Sequence, residues 1–198
     1  MEPKLLHTKE GLILATIEVI SERGLQGLTT KEVAKRQGIS ESTIFKHYKS
    51  KNELIIAVLD HFSQFDQAIF ESLKDKGLKP IEAIKYFVDS YVTYYANYPE
   101  ITAITHAYEG LMREPELSDK VRSIFNNRTS NIRLLVEEAK SHGEYKVDLD
   151  SENLADIIIG LERVITLKWR INNYNFSLKE HTLSALNMLL DVFKNRDI

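Results

Sequence analysis

Apolar residues recur at intervals of three and four along almost the whole of this chain, and nowhere does a clean two-residue alternation persist. That period belongs to the α-helix, and it limits the fold to packed helices. The expected class is therefore all-α. A first helix is expected from about Thr8 to Arg23, with Ile13, Ile17 and Ile20 on one face and Gly24 closing it. Thr29 with Glu32, and Ser50 with Glu53, have the spacing of capping boxes and open two further helices. Between them only Gly38-Ile39-Ser40 separates a second helix from a third. A long fourth helix carries Ile55, Val58, Phe62, Phe65, Ile69 and Leu73 and ends at Lys76-Gly77. Pro80 suits the first turn of the next, where a missing N–H costs nothing. Beyond Pro99, helices are expected over 100–108, 117–141, 151–172 and 177–194.

Hydrophobic residues make up 43% and charged residues 28% of the 198 positions, which fits a chain able to bury a core. The absence of cysteine excludes disulfides and thiolate metal sites, and no metal or cofactor is expected. The first residues lack the apolar core of a leader peptide, and the longest apolar runs, such as Ile157-Ile158-Ile159, fall far below the ~18 residues of a membrane span. A cytoplasmic location is the expectation. Net charge is −3 but unevenly spread. Residues 31–51 hold six Lys or Arg against two acids, a local +4 that leaves −7 for the rest. A basic patch on an acidic body points to a polyanion that meets one end only. The composition shift places a functional boundary near Ser50, dividing the chain into domains over 1–50 and 51–198.

The stretch TTKEVAKRQGISESTIFKHYKSKNEL, Thr29 to Leu54, has the parts of a helix-turn-helix. Ala34 is small where two helices cross, Gly38 permits a positive φ, and Val33, Ile39 and Ile44 can pin one helix to the other. The outward face of the third helix then carries Glu41, Ser42, Thr43, Lys46 and His47, side chains able to reach base edges in a major groove. Lys51 opens a helix whose free N–H groups also favour an anion.

Ile20, Gly24, Leu28-Thr29, Val33-Ala34, Gly38-Ile39-Ser40, Thr43-Ile44-Phe45-Lys46-His47-Tyr48, Lys51 and Leu54 resemble the N-terminal signature of the tetracycline-repressor (TetR) family. The close resemblance covers about a quarter of the chain; the remaining helices match in number, length and order. It implies a homodimeric transcriptional regulator, usually a repressor released from double-stranded DNA by a small molecule. It implies phosphate contacts at Thr29, Thr30 and Lys51, groove contacts at Thr43 and Lys46, and a phosphate or base-edge contact at Tyr48. Position 42 is Ser where Gly is frequent, and position 45 is Phe where Tyr is frequent, which removes a hydroxyl. It also implies that the last two helices form a four-helix dimer interface, through Leu154, Ile158, Leu161, Ile165, Leu186, Leu189 and Phe193.

The aromatic set Phe62, Phe65, Phe87, Tyr91, Tyr94, Tyr95, Tyr108, Phe125 and Trp169, with His106, is the candidate lining of an effector site. No Lys or Arg falls on the tyrosine stripe, so the expected effector is largely apolar or aromatic. There is no phosphate loop, metalloprotease motif or nucleophile elbow, so an enzyme is not expected. The alternatives are a ligand-independent architectural or division-control factor of the same fold, and a helical adaptor whose basic patch meets an acidic protein.

Overall fold

A computed structural model describes residues 9–195 of the chain. The expected helix start at Thr8 and the N-terminal segment read for a leader lie outside these residues. Among them the structure is helical, with a single isolated bridge, Tyr145 to Lys194, and no strand. The helices are α1 (Lys9–Arg23), α2 (Thr30–Gln37), α3 (Glu41–Phe45), α4 (Lys51–Lys74), α5 (Pro80–Asn97), α6 (Thr102–His106), α7 (Tyr108–Leu111), α8 (Pro115–Ser141), α9 (Ser151–Ile171) and α10 (Leu178–Phe193). The helix expected over 100–108 is divided: a 3₁₀ turn at Pro99–Ile101 precedes α6, and Tyr108 already belongs to α7.

Contacts divide the chain into two compact units, one made by the segment up to Phe65 with Tyr98–Ile124, the other by Asp66–Asn97 with Phe125 onward. Both α4 and α8 contribute to each. In the first unit α1 packs on α2 and α6, and α2 on α3. Ile17, Leu28, Val33, Ile44, Leu54 and Val58 are fully buried there. Gly38 caps α2 at φ 65°, and the Ile39 N–H donates to the Ala34 carbonyl at 3.0 Å, closing the turn before α3. A side chain at this φ would be strained, so glycine is required by the backbone. Arg36 on α2 reaches back to Glu18 at 3.0 Å and to Glu22 on α1, while Arg23 meets Glu32 at 3.0 Å.

In the second unit α5 packs on α10, and α10 on α9. Phe87, Tyr91, Tyr95, Leu154, Ile158, Leu186 and Leu190 form its core. The Ile81 N–H donates to the Glu144 carboxylate at 2.9 Å, satisfying a donor that the first turn of α5 leaves open. Asp150 caps α9 by accepting from the Glu152 and Asn153 N–H groups, each at 3.0 Å, and Ser177 caps α10 through the Glu180 N–H at 3.2 Å.

Candidate nucleic-acid interface and a buried polar cluster

The expected capping at Thr29 and Ser50 is present: their hydroxyls accept from the N–H groups of Glu32 and Glu53, each at 3.1 Å. Ser40 behaves differently. It makes no cap bond, and its hydroxyl meets those of Ser42 at 2.8 Å and Thr43 at 2.9 Å. Helix α3 is short, so Lys46 and His47 follow it in a turn whose N–H groups still bond back to Thr43 and Ile44. Thr29, Ser42, Lys46 and Lys51 are exposed, and Thr30, Thr43 and His47 half-buried. The structure therefore brings seven of the eight expected DNA-facing side chains to the outside of the helix-turn-helix unit.

Tyr48 is the exception. It is 6% exposed, and its hydroxyl is directed at the Lys9 carbonyl at 3.4 Å. Its ring is part of the unit's core. The departure at Phe45 and the acid at Glu41 also take definite form. Phe45 is 49% exposed and so available to an apolar groove feature such as a thymine methyl. Glu41 accepts a hydrogen bond from the Thr30 hydroxyl, tying the first turn of α3 to the first turn of α2.

In the second unit the tyrosine stripe of α5 is confirmed as buried, with ring centroids 4.9 Å apart for Phe87–Tyr91 and 6.0 Å for Tyr91–Tyr95; Tyr94 is half-buried beside them. The stripe is not purely apolar, however. Arg128 of α8 stacks its guanidinium on the Tyr91 ring, 3.4 Å from the centroid, and donates to the Tyr95 hydroxyl at 3.0 Å. The Tyr91 hydroxyl donates to Asp66 of α4. Glu162 of α9 lies 3.9 Å from Arg128 and accepts from Thr166 at 3.3 Å. Asp66, Arg128 and Glu162 are all buried. Four helices thus meet at one polar cluster.

Burial raises the carboxyl pKa of Asp66, opposed by Arg128 and by the Tyr91 hydrogen bond. It raises Glu162 likewise, opposed by Arg128 and Thr166. The Tyr91 and Tyr95 phenols are pushed well up, above all by burial, and remain protonated donors. Burial alone would lower the Arg128 value, but the tyrosines and acids around it outweigh that and keep the guanidinium charged.

Sequence reasoning missed these three charges, although each interrupts an apolar stripe: Asp66 between Phe62 and Ile69, Arg128 between Ile124 and Ile132, Glu162 between Ile158 and Ile165. The expectation that no cation faces the tyrosines is corrected by Arg128, which comes from another helix. Among the other candidates, Phe62, Phe65, His106 and Tyr108 belong to the first unit. Phe62 and Tyr108 are buried there and Phe65 and His106 half-buried. Phe125 is 37% exposed. Trp169 donates its indole N–H to the Phe176 carbonyl at 3.0 Å and packs edge-on against Tyr174, so it holds the α9–α10 connection.

The last two helices divide their apolar residues between two faces. Leu154, Ile158, Ile165 and Leu186 are buried within the single chain; Leu161, Leu189 and Phe193 are half-exposed. The uncovered face consists of Ile157, Val164, Leu167 and Ile171 on α9, with Met188 and Val192 on α10.

A helix-turn-helix with an outward row of hydroxyl and basic side chains, followed in the sequence by further helices, is the architecture of a DNA-binding transcriptional regulator. Residues 12–58 match the family model described as bacterial regulatory proteins, tetR family. The chain is 23% identical to the fatty acid metabolism regulator protein of Bacillus subtilis over 93% of this chain and 95% of that one. It is 20% identical to the nucleoid occlusion factor SlmA of Vibrio cholerae over 79% and 81%. The crystal structure of FadR from Bacillus subtilis in complex with stearoyl-CoA superposes with a TM-score of 0.80, at 22% identity, over 92% of this chain and 98% of that one, a likeness that shows the fold. Among the described residues no helix is long and apolar enough to cross a membrane.

Proposed function

We propose that this regulator is a cytoplasmic repressor that binds a two-half-site operator as a homodimer and leaves it when an effector with a largely apolar body engages the second unit. Residues 1–50 serve DNA and 51–198 serve effector and partner. The observation that carries the effector reading is the Arg128 cluster: charged groups set among buried tyrosines in an otherwise apolar body. A buried charge cluster adds little to stability compared with an apolar core of the same shape. Its use is to receive the polar group of a ligand whose remainder fills apolar space. The likeness to a fatty acid regulator, and to a structure holding stearoyl-CoA, supports long-chain acyl thioesters as the first effectors to test.

Asp66 and Lys51 lie on one continuous helix, α4, so a ligand that competes for Arg128 or Tyr91 alters the hold on a helix that begins beside the recognition turn. A coupling of about 1–3 kcal/mol lowers operator affinity roughly 5–150-fold, and the operator complex must bind the effector more weakly by the same factor. Both are read by titrating operator with and without stearoyl-CoA. Tyr91→Phe, which removes the donor to Asp66, is expected to lower the unliganded operator affinity part of the way and so to reduce that factor. If the apolar effectors bind and operator affinity does not move, the switch is wrong and a ligand-independent DNA-binding factor is the better account.

The DNA face gives its own result. Lys51→Ala is expected to weaken binding to operator and random duplex alike and to reduce the slope of log K against log salt by roughly 0.9 per half-site. Lys46→Ala is expected to relax preference at one base position per half-site, at about 1–3 kcal/mol. Uniform weakening over all operator variants would assign Lys46 to phosphate instead.

A further inference from the structure

The outward face of α3 carries two side chains that offer nothing to a phosphate. Glu41 is exposed in its first turn, and Phe45 is 49% exposed at its end. Four residues apart on a helix, they lie one above the other on the same face. A face that only grips a DNA backbone presents hydrogen-bond donors and positive charge. A carboxylate there is repelled by phosphate, and a phenyl ring neither donates nor carries charge. The pair fits a different surface: in the major groove cytosine presents an amine donor and thymine a methyl group.

Glu41 is also held in place. The Thr30 hydroxyl on α2 donates to one of its carboxylate oxygens. A hydroxyl has one hydrogen to give and a phosphate oxygen only accepts, so Thr30 as placed commits its donor to Glu41 and not to a DNA backbone. The bond leaves the second carboxylate oxygen as an acceptor on a side chain fixed from two helices. An acid in the first turn also suits the helix dipole, but α3 has only 5 residues, and that role needs no anchoring hydroxyl. Guanine and thymine present acceptors to the groove, and adenine sets an acceptor beside its amine. Cytosine alone presents an amine with no acceptor next to it on the same base.

We propose that Glu41 is a specificity-determining residue that accepts from a cytosine amine in each half-site, with Thr30 as its positioning residue. Phe45 covers a thymine methyl within about two base-pair steps of that cytosine, since four residues advance ~6 Å along a helix against ~3.4 Å between bases. Rejection accompanies selection. On any other sequence Glu41 meets acceptors and phosphates, so the carboxylate that holds the protein on its operator weakens its hold elsewhere. The inference rests on the operator-binding reading and adds which bases are read.

The test is selection of half-sites from a random duplex library by the full chain, followed by competition binding with single replacements in the selected duplex. Replacing the cytosine is expected to cost wild type about tenfold. Glu41→Gln is expected to turn the preference at that position toward adenine, because an amide both donates and accepts. It should also bind random duplex about threefold or more tightly at low salt, one like charge having gone, a gain that a misfolded variant cannot imitate. Thr30→Val is expected to lose discrimination at the cytosine position alone; an even loss over all sequences would return its hydroxyl to phosphate and overturn the positioning role. Deoxyuridine in place of the thymine removes only the methyl and should weaken wild type about threefold, with no effect on Phe45→Ala. An equal loss in both proteins would remove Phe45 from the contact. A library that yields no enriched sequence would overturn the operator reading itself. An enriched site whose base preferences Glu41→Gln leaves unchanged, or a Glu41→Gln protein that binds every duplex more weakly, would keep the operator and overturn this assignment.

Discussion

Replacing Arg128 by Met is expected to destabilise the protein by about 3–5 kcal/mol, a large part of the 5–15 kcal/mol that holds a typical domain folded. Methionine nearly matches arginine in reach, so the loss does not come from volume. It comes from Asp66 and Glu162, which remain buried with their compensating cation gone. Both carboxyl pKa values lie above the ordinary 3.8 and 4.5, chiefly through burial. The folded chain therefore holds these protons to higher pH than the unfolded chain does. Their favourable contribution is fully present below about pH 4 and is lost as pH rises through the folded values. Arg128 restrains that rise in pKa, so its removal extends the loss. The difference in unfolding free energy between wild type and Arg128→Met should be smaller at pH 5 than at pH 8, measured by urea titration at each. Adding Glu162→Leu should recover part of it, because an apolar pair in place of an ionic one is tolerated where a half-pair is not. A pH-independent difference would assign the loss to packing.

Val164→Glu is expected to abolish the dimer without unfolding the chain. Val164 is 67% exposed in the single chain, so the new carboxylate costs nothing there, whereas in an apolar interface it is desolvated twice, once per copy. Operator binding should fall about 10²–10⁴-fold, the advantage that linking two half-site readers confers. Ile158→Glu makes the contrast. Ile158 is fully buried in its own chain, so that variant should be lost as unfolded protein. A Val164→Glu protein that remains dimeric, by light scattering, would move the interface away from α9.

The helices were legible because their signals are local. Periodicity, the hydroxyls of Thr29 and Ser50, and the glycines at 24, 38 and 77 each act within one or two turns. What could not be read was which side of a two-faced helix turns inward. Ile158 and Val164 are equally apolar, and only the position of α5 and α10 decides that one is buried and the other is not. The burial of the Tyr48 ring could not be read for the same reason: its neighbours Lys46 and His47 look outward, and burial of its ring depends on α1. The Arg128 cluster left a trace, a charge at an apolar position in each of three stripes, but each trace is weak alone, and the three meet only when four helices are packed.

Arg36 belongs to the basic stretch by sequence and not by structure, since its guanidinium is committed to Glu18 and Glu22. The cations left to face DNA are Lys31, Lys35, Lys46, Lys49 and Lys51. Ten lysines in a dimer set a ceiling of roughly −9 on the salt exponent. That strongly salt-dependent grip shapes the search for the operator. On random sequence the protein is held only by exchangeable ammonium–phosphate contacts, so it dissociates and rebinds often and samples much of the genome in short visits. A long stay is then expected to require Thr43 and Lys46 to find their partners on base edges, and the time spent at a site becomes the measure of its sequence.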